Sequence, residues 1–241
     1  MGFARGPRIV TDGLFFYIDA ANSKSYISGS DFTSNILSTS LTGSFINNVT
    51  VDYNIKNGVF TFDGSDDAIL LEGTVDTTNT WLVPANSTDP FTISAWFNTN
   101  NVSSTNWIIS AGSGGGTNWD IKIGATSGKI TFRMRQTGDS TYSDLLSSII
   151  STNVWYNVTG VYTGTEQILY LNGIQESTAN ITFRRELTSN IAGAIGTFYY
   201  DGQPYSGDYD GEIGLLSFYQ SKSLSSKEVL QNYNALKGRF N

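Results

Sequence analysis

The apolar runs of this chain are short, and that constrains its fold more than any other feature. Most end after a handful of residues at Gly, Asn, Asp or Ser, the pattern of strands separated by turns rather than of packed helices. Leu14-Phe15-Phe16-Tyr17-Ile18 is apolar throughout and predicts a strand buried on both faces. Phe91-Thr92-Ile93-Ser94-Ala95-Trp96-Phe97 has period two, which puts Phe91, Ile93, Ala95 and Phe97 on one face. Further strands are expected over 58–62, 68–71, 107–109, 119–123, 129–134, 155–162, 167–171 and 213–219. Asn172-Gly173, between Leu171 and Ile174, is a two-residue hairpin turn. Trp96 and Trp155 are expected to fill the core between sheets.

One segment has helical spacing instead. Ser225 and Glu228 form a capping box, with Leu224 and Val229 as a hydrophobic staple. Val229, Leu230, Tyr233 and Leu236 make the apolar stripe, and Gly238 is placed to end the helix, predicted over 226–237. Gly112 to Gly116 lies between two strand patterns and reads as a loop, so nothing divides the chain. The expectation is one all-β domain over 13–241, an antiparallel β-sandwich or jelly roll with one C-terminal helix. An N-terminal arm, residues 1–12, carries Arg5, Pro7 and Arg8 and is of a kind that can dock on a neighbouring subunit.

Composition then removes whole classes of chemistry. There is no cysteine and no histidine. Thiolate catalysis, disulfides, zinc–thiolate sites, the Ser-His-Asp triad and the commonest general base are excluded. A metal would need an all-oxygen site, which suits calcium. Formal net charge is -7 without a basic run, so no nucleic-acid partner is expected. The N-terminus lacks the apolar stretch of a classical secretion signal, and no segment is long and apolar enough to insert in a bilayer.

Several segments in order resemble the laminin G-like and pentraxin-like branch of the concanavalin A-like lectin/glucanase superfamily. They are Gly13–Ala20, Phe62-Asp63-Gly64-Ser65-Asp66-Asp67-Ala68, Phe91–Phe97, Trp155-Tyr156-Asn157-Val158, Leu169-Tyr170-Leu171-Asn172-Gly173, and Gly211-Glu212-Ile213-Gly214 with Leu224–Val229. The resemblance implies a concanavalin A-like jelly roll. The opening Arg5–Leu14 and the ending Glu228–Phe240 look like those of such domains in bacteriophage virion proteins. That implies a structural or decoration protein of a virion assembled in the host cytoplasm, with other virion proteins and its own copies as partners.

Three candidate sites follow. Asp208, Asp210 and Glu212 alternate as paired catalytic carboxylates do, but Gly207 and Gly211 interrupt them. They read as a solvated strand entry, and no catalysis is expected. Pentraxin-like relatives bind calcium after the turn that Asp66-Asp67 occupies and again after the strand ending Ile195-Gly196. The resemblance therefore implies Asp66, Asp67 and Asp201 as the calcium residues, although Thr197–Tyr200 is aromatic where acids belong. No other cofactor is expected. Phe198, Tyr199, Tyr200, Tyr205 and Tyr209 crowd a loop marked by Pro204, with Trp119 at the end of the 112–119 loop. Exposed aromatics of this kind stack on sugars or anchor interfaces. The expected function is a non-catalytic virion structural or decoration protein that also binds a glycan or host surface. The alternative is a free, calcium-assisted carbohydrate-binding lectin, ahead of a glycan hydrolase or lyase.

Overall fold

A computed structural model describes residues 7–71, 82–113, 116–123, 128–137, 142–185, 192–200 and 203–241. The early strands are β1 (Leu14–Asp19), β2 (Phe32–Asn35), β3 (Ser38–Ile46), β4 (Thr50–Asp52), β5 (Val59–Asp63) and β6 (Ala68–Leu71). β7 (Phe91–Thr99), β8 (Asn106–Ser113), β9 (Gly116–Ile123), β10 (Lys129–Arg135), β11 (Tyr142–Ile149) and β12 (Trp155–Tyr162) follow. The last are β13 (Glu166–Leu171), β14 (Ile174–Asn180), β15 (Ala192–Ile195), β16 (Phe198–Tyr200), β17 (Gln203–Ser206) and β18 (Asp210–Gln220), then helix α1 (Ser226–Phe240). The Gly-rich segment is thus the β8–β9 hairpin, with Gly114 and Gly115 outside the described residues.

The strands form two eight-stranded antiparallel sheets packed as a jelly roll. The first runs β14-β13-β12-β7-β18-β5-β4, with β1 also pairing β18. The second runs β11-β10-β9-β8-β15-β6-β3-β2. β16 and β17 pair as a separate hairpin. The Asn172-Gly173 turn sets the β13–β14 register, Leu171 opposite Ile174. Both residues have positive φ, 52° and 78°, as the tight hairpin turn requires. On one flank the sheets are stitched together. Ser177 Oγ donates to Leu146 O at 2.9 Å, and Ser148 N donates to Glu176 Oε2 at 2.7 Å. These bonds occupy part of the main-chain edge that β11 would otherwise present.

Period two sorts the side chains. Phe91, Ile93, Ala95 and Phe97 share one face as expected, and that face is the inner one, where they join Ile121, Phe132, Leu169, Leu216 and Phe218 in the core. Trp96 and Trp155 do not. They are out of phase with those inward positions and lie on the outer face of the first sheet, with Leu215, Phe240, Tyr17, Tyr233 and Leu236. α1 covers that face. A second cluster, Val161, Tyr170, Tyr219, Leu224 and Val229, pins its first turns.

The capping box forms, with Ser225 N donating to Glu228 Oε2 at 2.8 Å and Glu228 N to Ser225 Oγ at 3.4 Å. The expected stop at Gly238 does not occur, and the helix runs on to Phe240. Tertiary contacts hold the extra turn. The Phe240 ring stacks 4.5 Å from Trp96 and lies 4.9 Å from Trp155. Gly214 admits it, because a Cβ there would stand 2.4 Å from the ring. Arg239 donates to Lys56 O, Gly58 O and Asp19 Oδ1 at 2.6–2.7 Å. Leu230, expected in the stripe, is 44% exposed. It sits about 100° round the helix from Val229, which is buried.

Part of the N-terminal arm lies along the same helix. Gln231 Nε2 donates to Arg8 O at 2.7 Å, Val10 N to Asn232 Oδ1 at 2.8 Å, and Tyr219 Oη to Val10 O at 2.9 Å. Residues 1–6 lie outside the described residues.

Phe240→Ala removes the ring wedged between two tryptophans and Gly214. A loss of about 3 kcal/mol in unfolding free energy is expected in urea titration. A loss under about 1 kcal/mol would mean that the last turn is not anchored through this ring.

Candidate functional site

Among the described residues, no helix lies over the outer face of the second sheet. Trp119, Ile121, Phe132, Met134 and Leu145 point into the core, so their alternates point away from it. Register then lays charges in a row. Asp120 on β9 faces Ser110 on β8 and Arg133 on β10, and Arg133 faces Asp144 on β11. Trp107 on β8 faces Lys122 on β9.

Arg133 grips Asp144 through Nε and Nη2, each bond 2.7 Å, the two-pronged geometry that guanidinium and carboxylate favour. Its guanidinium also lies 4.9 Å from the Tyr142 ring centre. Lys122 Nζ stands 3.5 Å from Asp120 Oδ1 and 4.9 Å over the Trp107 ring. Asp120 is fully buried, and neither of its carboxylate oxygens accepts a hydrogen bond. Burial pushes the Asp120 carboxyl above its usual range against the pull of Lys122 and Arg133. Burial also lowers Lys122, with Asp120 opposing. Asp144 is only partly buried. Desolvation works against its charge, yet the Arg133 hydrogen bond and charge hold it below the usual carboxylate range.

The β16–β17 hairpin lies beside Trp107 and packs on β8. Trp107 N donates to Gly207 O at 3.0 Å, and the Phe198 ring centre is 5.6 Å from that of Trp107. Gly207 has φ 74°, and a Cβ there would fall 1.9 Å from the indole, so only glycine lets the hairpin approach this closely. The backbones of Tyr199, Tyr200 and Tyr205 form the hairpin. Their side chains, and Asp201 entirely, lie outside the described residues.

Two expected ligand residues are corrected. Trp119 is fully buried, packs 5.5 Å from Phe91, and donates from Nε1 to Leu82 O at 2.8 Å. The alternation Trp119-Asp120-Ile121-Lys122 turns it inward with Ile121. Tyr209 is also fully buried, edge-on to Phe62, with its hydroxyl donating to Asn98 O at 2.8 Å. Phe198 is half-buried against Trp107.

An acidic rim meets the foot of the hairpin. Carboxylate oxygens of Asp63, Asp66 and Asp67 all lie within 4.8 Å of one another. Asp67 is buried and organises turns, with Oδ1 accepting from Asn48 N at 2.8 Å and Oδ2 from Asp63 N at 3.0 Å. Asp208 faces this group from the end of the hairpin, where its Oδ1 accepts from Thr197 Oγ1 at 2.9 Å. Three converging carboxylates fit a hard cation, supplying three of the roughly six to eight oxygens that calcium takes. Asp63 belongs with Asp66 and Asp67, and the sequence reading left it out.

Two of the three strand carboxylates are engaged by neighbouring side chains. Asp208 is bonded to Thr197, and Asp210 Oδ1 accepts from Asn100 Nδ2 at 2.9 Å. Glu212 pairs across the first sheet with Asn98 and Thr61. It is half-buried rather than solvated, and burial followed by Asp210 and Asp52 raises its pKa.

A jelly roll bearing aromatic rings and paired charges on the outer face of one sheet is a lectin-like β-sandwich. A laminin G-type family model, described as the concanavalin A-like lectin/glucanases superfamily, matches residues 63–230, and the chain belongs to that family. No curated protein matches the sequence. Among solved structures, the binding domain of Paraclostridial mosquitocidal protein 1 is 15% identical with a TM-score of 0.65, over 92% of this chain and 52% of that one. The receptor binding domain of botulinum neurotoxin type G is 16% identical with a TM-score of 0.59, over 91% and 50%. Trypanosoma rangeli sialidase is 15% identical with a TM-score of 0.67, over 96% and 34%. The chain thus spans between a third and about half the length of these proteins.

Burial raises the pKa of Asp208, with Thr197 opposing and then Asp66 and Asp63 raising it further. A raised carboxyl contributes stability at low pH that is lost as pH climbs through its folded pKa. In chelator, Asp66→Asn should therefore raise the melting temperature at neutral pH, with the gain fading by about pH 3. An unchanged or lower melting temperature at neutral pH would show that rim repulsion does not load the fold.

Proposed function

We propose that this chain is a non-catalytic recognition module that binds glycan on a cell surface through the outer face of its second sheet. The observation carrying this reading is Trp107, half-exposed between Lys122 and the aromatic hairpin and two strands from Arg133 of the Arg133–Asp144 pair. Aromatic area takes the apolar face of a sugar, and ionic hydrogen-bonding groups beside it take the hydroxyls. The fold likeness to a toxin binding domain and a toxin receptor binding domain supports surface recognition. Asp208 and Asp210 are engaged by Thr197 and Asn100, which favours binding over hydrolysis.

The particle setting is part of the same reading. The chain serves as a structural or decoration protein of a bacteriophage virion assembled in the host cytoplasm, in contact with its own copies and other virion proteins. The resemblance of residues 5–14 and 228–240 to virion proteins supports this. A calcium ion held by Asp63, Asp66 and Asp67 would brace the rim from which the hairpin springs.

A glycan array probed with the purified protein should give signals that Trp107→Ala abolishes. Signals unchanged in the variant would move the site off this face. Calcium should raise the melting temperature of the parent protein and not of Asp66→Asn, and equal shifts would remove the rim as its site. Mass spectrometry of purified particles should find the chain in stoichiometric amounts, and its absence would end the virion assignment.

A further inference from the structure

We infer that the sugar taken by this face is a neutral, hydroxyl-rich glycan rather than a sialylated, uronate-bearing or sulfated one. The inference rests on the reading of the face as a glycan site and adds the class of ligand.

The argument is one of charge already spent. An anionic sugar is held by a cation whose field is uncompensated. Here the cation nearest Trp107 and the cation nearest Tyr142 each have a carboxylate of their own. Arg133 presents its Nε–Nη2 edge to Asp144 at 2.7 Å on both bonds. Lys122 stands 3.5 Å from Asp120. An incoming carboxylate or sulfate would have to displace Asp144 or sit beside it, and in either case a like charge remains within a few ångströms. Arg135, two residues along β10, is buried and has a partner. Lys129 stands at the opposite end of that strand, beside Ile149 on β11.

The surroundings act in the same direction. Asp63, Asp66, Asp67 and Asp208 gather at the foot of the hairpin that flanks Trp107, and the chain carries a net -7. An anionic ligand is therefore repelled on approach as well as at contact.

A neutral sugar meets neither. Each hydroxyl both donates and accepts, so vicinal hydroxyls can bridge the Nη1 side of Arg133 and the spare lone pairs of Asp144 without breaking the fork. The half-exposed rings of Trp107 and Tyr142 give the C–H face somewhere to rest.

Calorimetric titration with neutral hexose and N-acetylhexosamine oligomers, alongside their uronate and sulfated counterparts, tests the inference. Neutral oligomers should bind with an affinity that changes by less than about twofold between about 50 and about 300 mM salt. The charged counterparts should bind at least about tenfold more weakly at the lower salt. Asp144→Asn, on an exposed edge strand, should admit the charged oligomers with an affinity that falls as salt rises. Tighter binding of charged oligomers by the parent protein would overturn the inference while leaving the glycan reading standing. So would an Asp144→Asn variant that still rejects them. Failure of all these sugars to bind, on the array as well, would overturn the glycan reading and the inference with it.

Discussion

A β-strand has two faces, and two stacked sheets can bury only one face of each. In this protein that constraint leaves two outer faces to be dealt with, and they are treated differently. The first sheet carries Trp96, Leu215, Val161 and Tyr219 outward, an apolar surface that water would penalise. α1 covers it, and the last turn of that helix exists only because Phe240 and Arg239 find partners on the sheet and in the Lys56–Gly58 turn. The second sheet carries charges and half-buried aromatics outward, and among the described residues no helix lies over them.

That asymmetry is why recognition falls on the second sheet. Its outward charges come in pairs, one at the surface and one buried. Arg133 and Asp144 satisfy each other at the surface, where a two-pronged bond keeps both charged. Asp120 and Lys122 are the costlier pair, because Asp120 is wholly buried and accepts no hydrogen bond. Desolvation drives both toward their neutral forms while their mutual attraction resists. The hairpin beside them is fixed at its foot by the Thr197–Asp208 bond and along its flank by Gly207 against Trp107. The acidic rim and the aromatic hairpin, far apart in sequence at Asp63–Asp67 and 198–206, are neighbours in space.

The strand series, the Asn172-Gly173 register and the capping box of α1 were legible because each rests on local chemistry. A pleat, a positive-φ turn or a helix N-cap is complete within a few residues. Trp96 misled because alternation says which residues share a face and not which face is inside. Gly238 misled because a helix stop is a weak local preference, and two rings and three hydrogen bonds outweigh it. Trp119 and Tyr209 stand near turns, which in sequence gives them the look of surface aromatics. Trp119 could have been placed correctly from its own alternation with Ile121. Trp107, Arg133 and Asp144 carried no local signal, since each is an ordinary residue in an ordinary strand.

The sequence by itself determined an all-β chain with one capped helix, no thiol or imidazole chemistry, and at most an all-oxygen metal site. Those properties follow from residue types and from periods of two and 3.6 residues, which act over short stretches of chain. Only the tertiary structure decided which sheet face the helix covers, that Asp208 meets the turn holding Asp63, Asp66 and Asp67, and that the charges of β9, β10 and β11 line up in one row. Each depends on strand register and on the order of strands within a sheet. Those are set by packing among residues dozens of positions apart, and no local pattern encodes them.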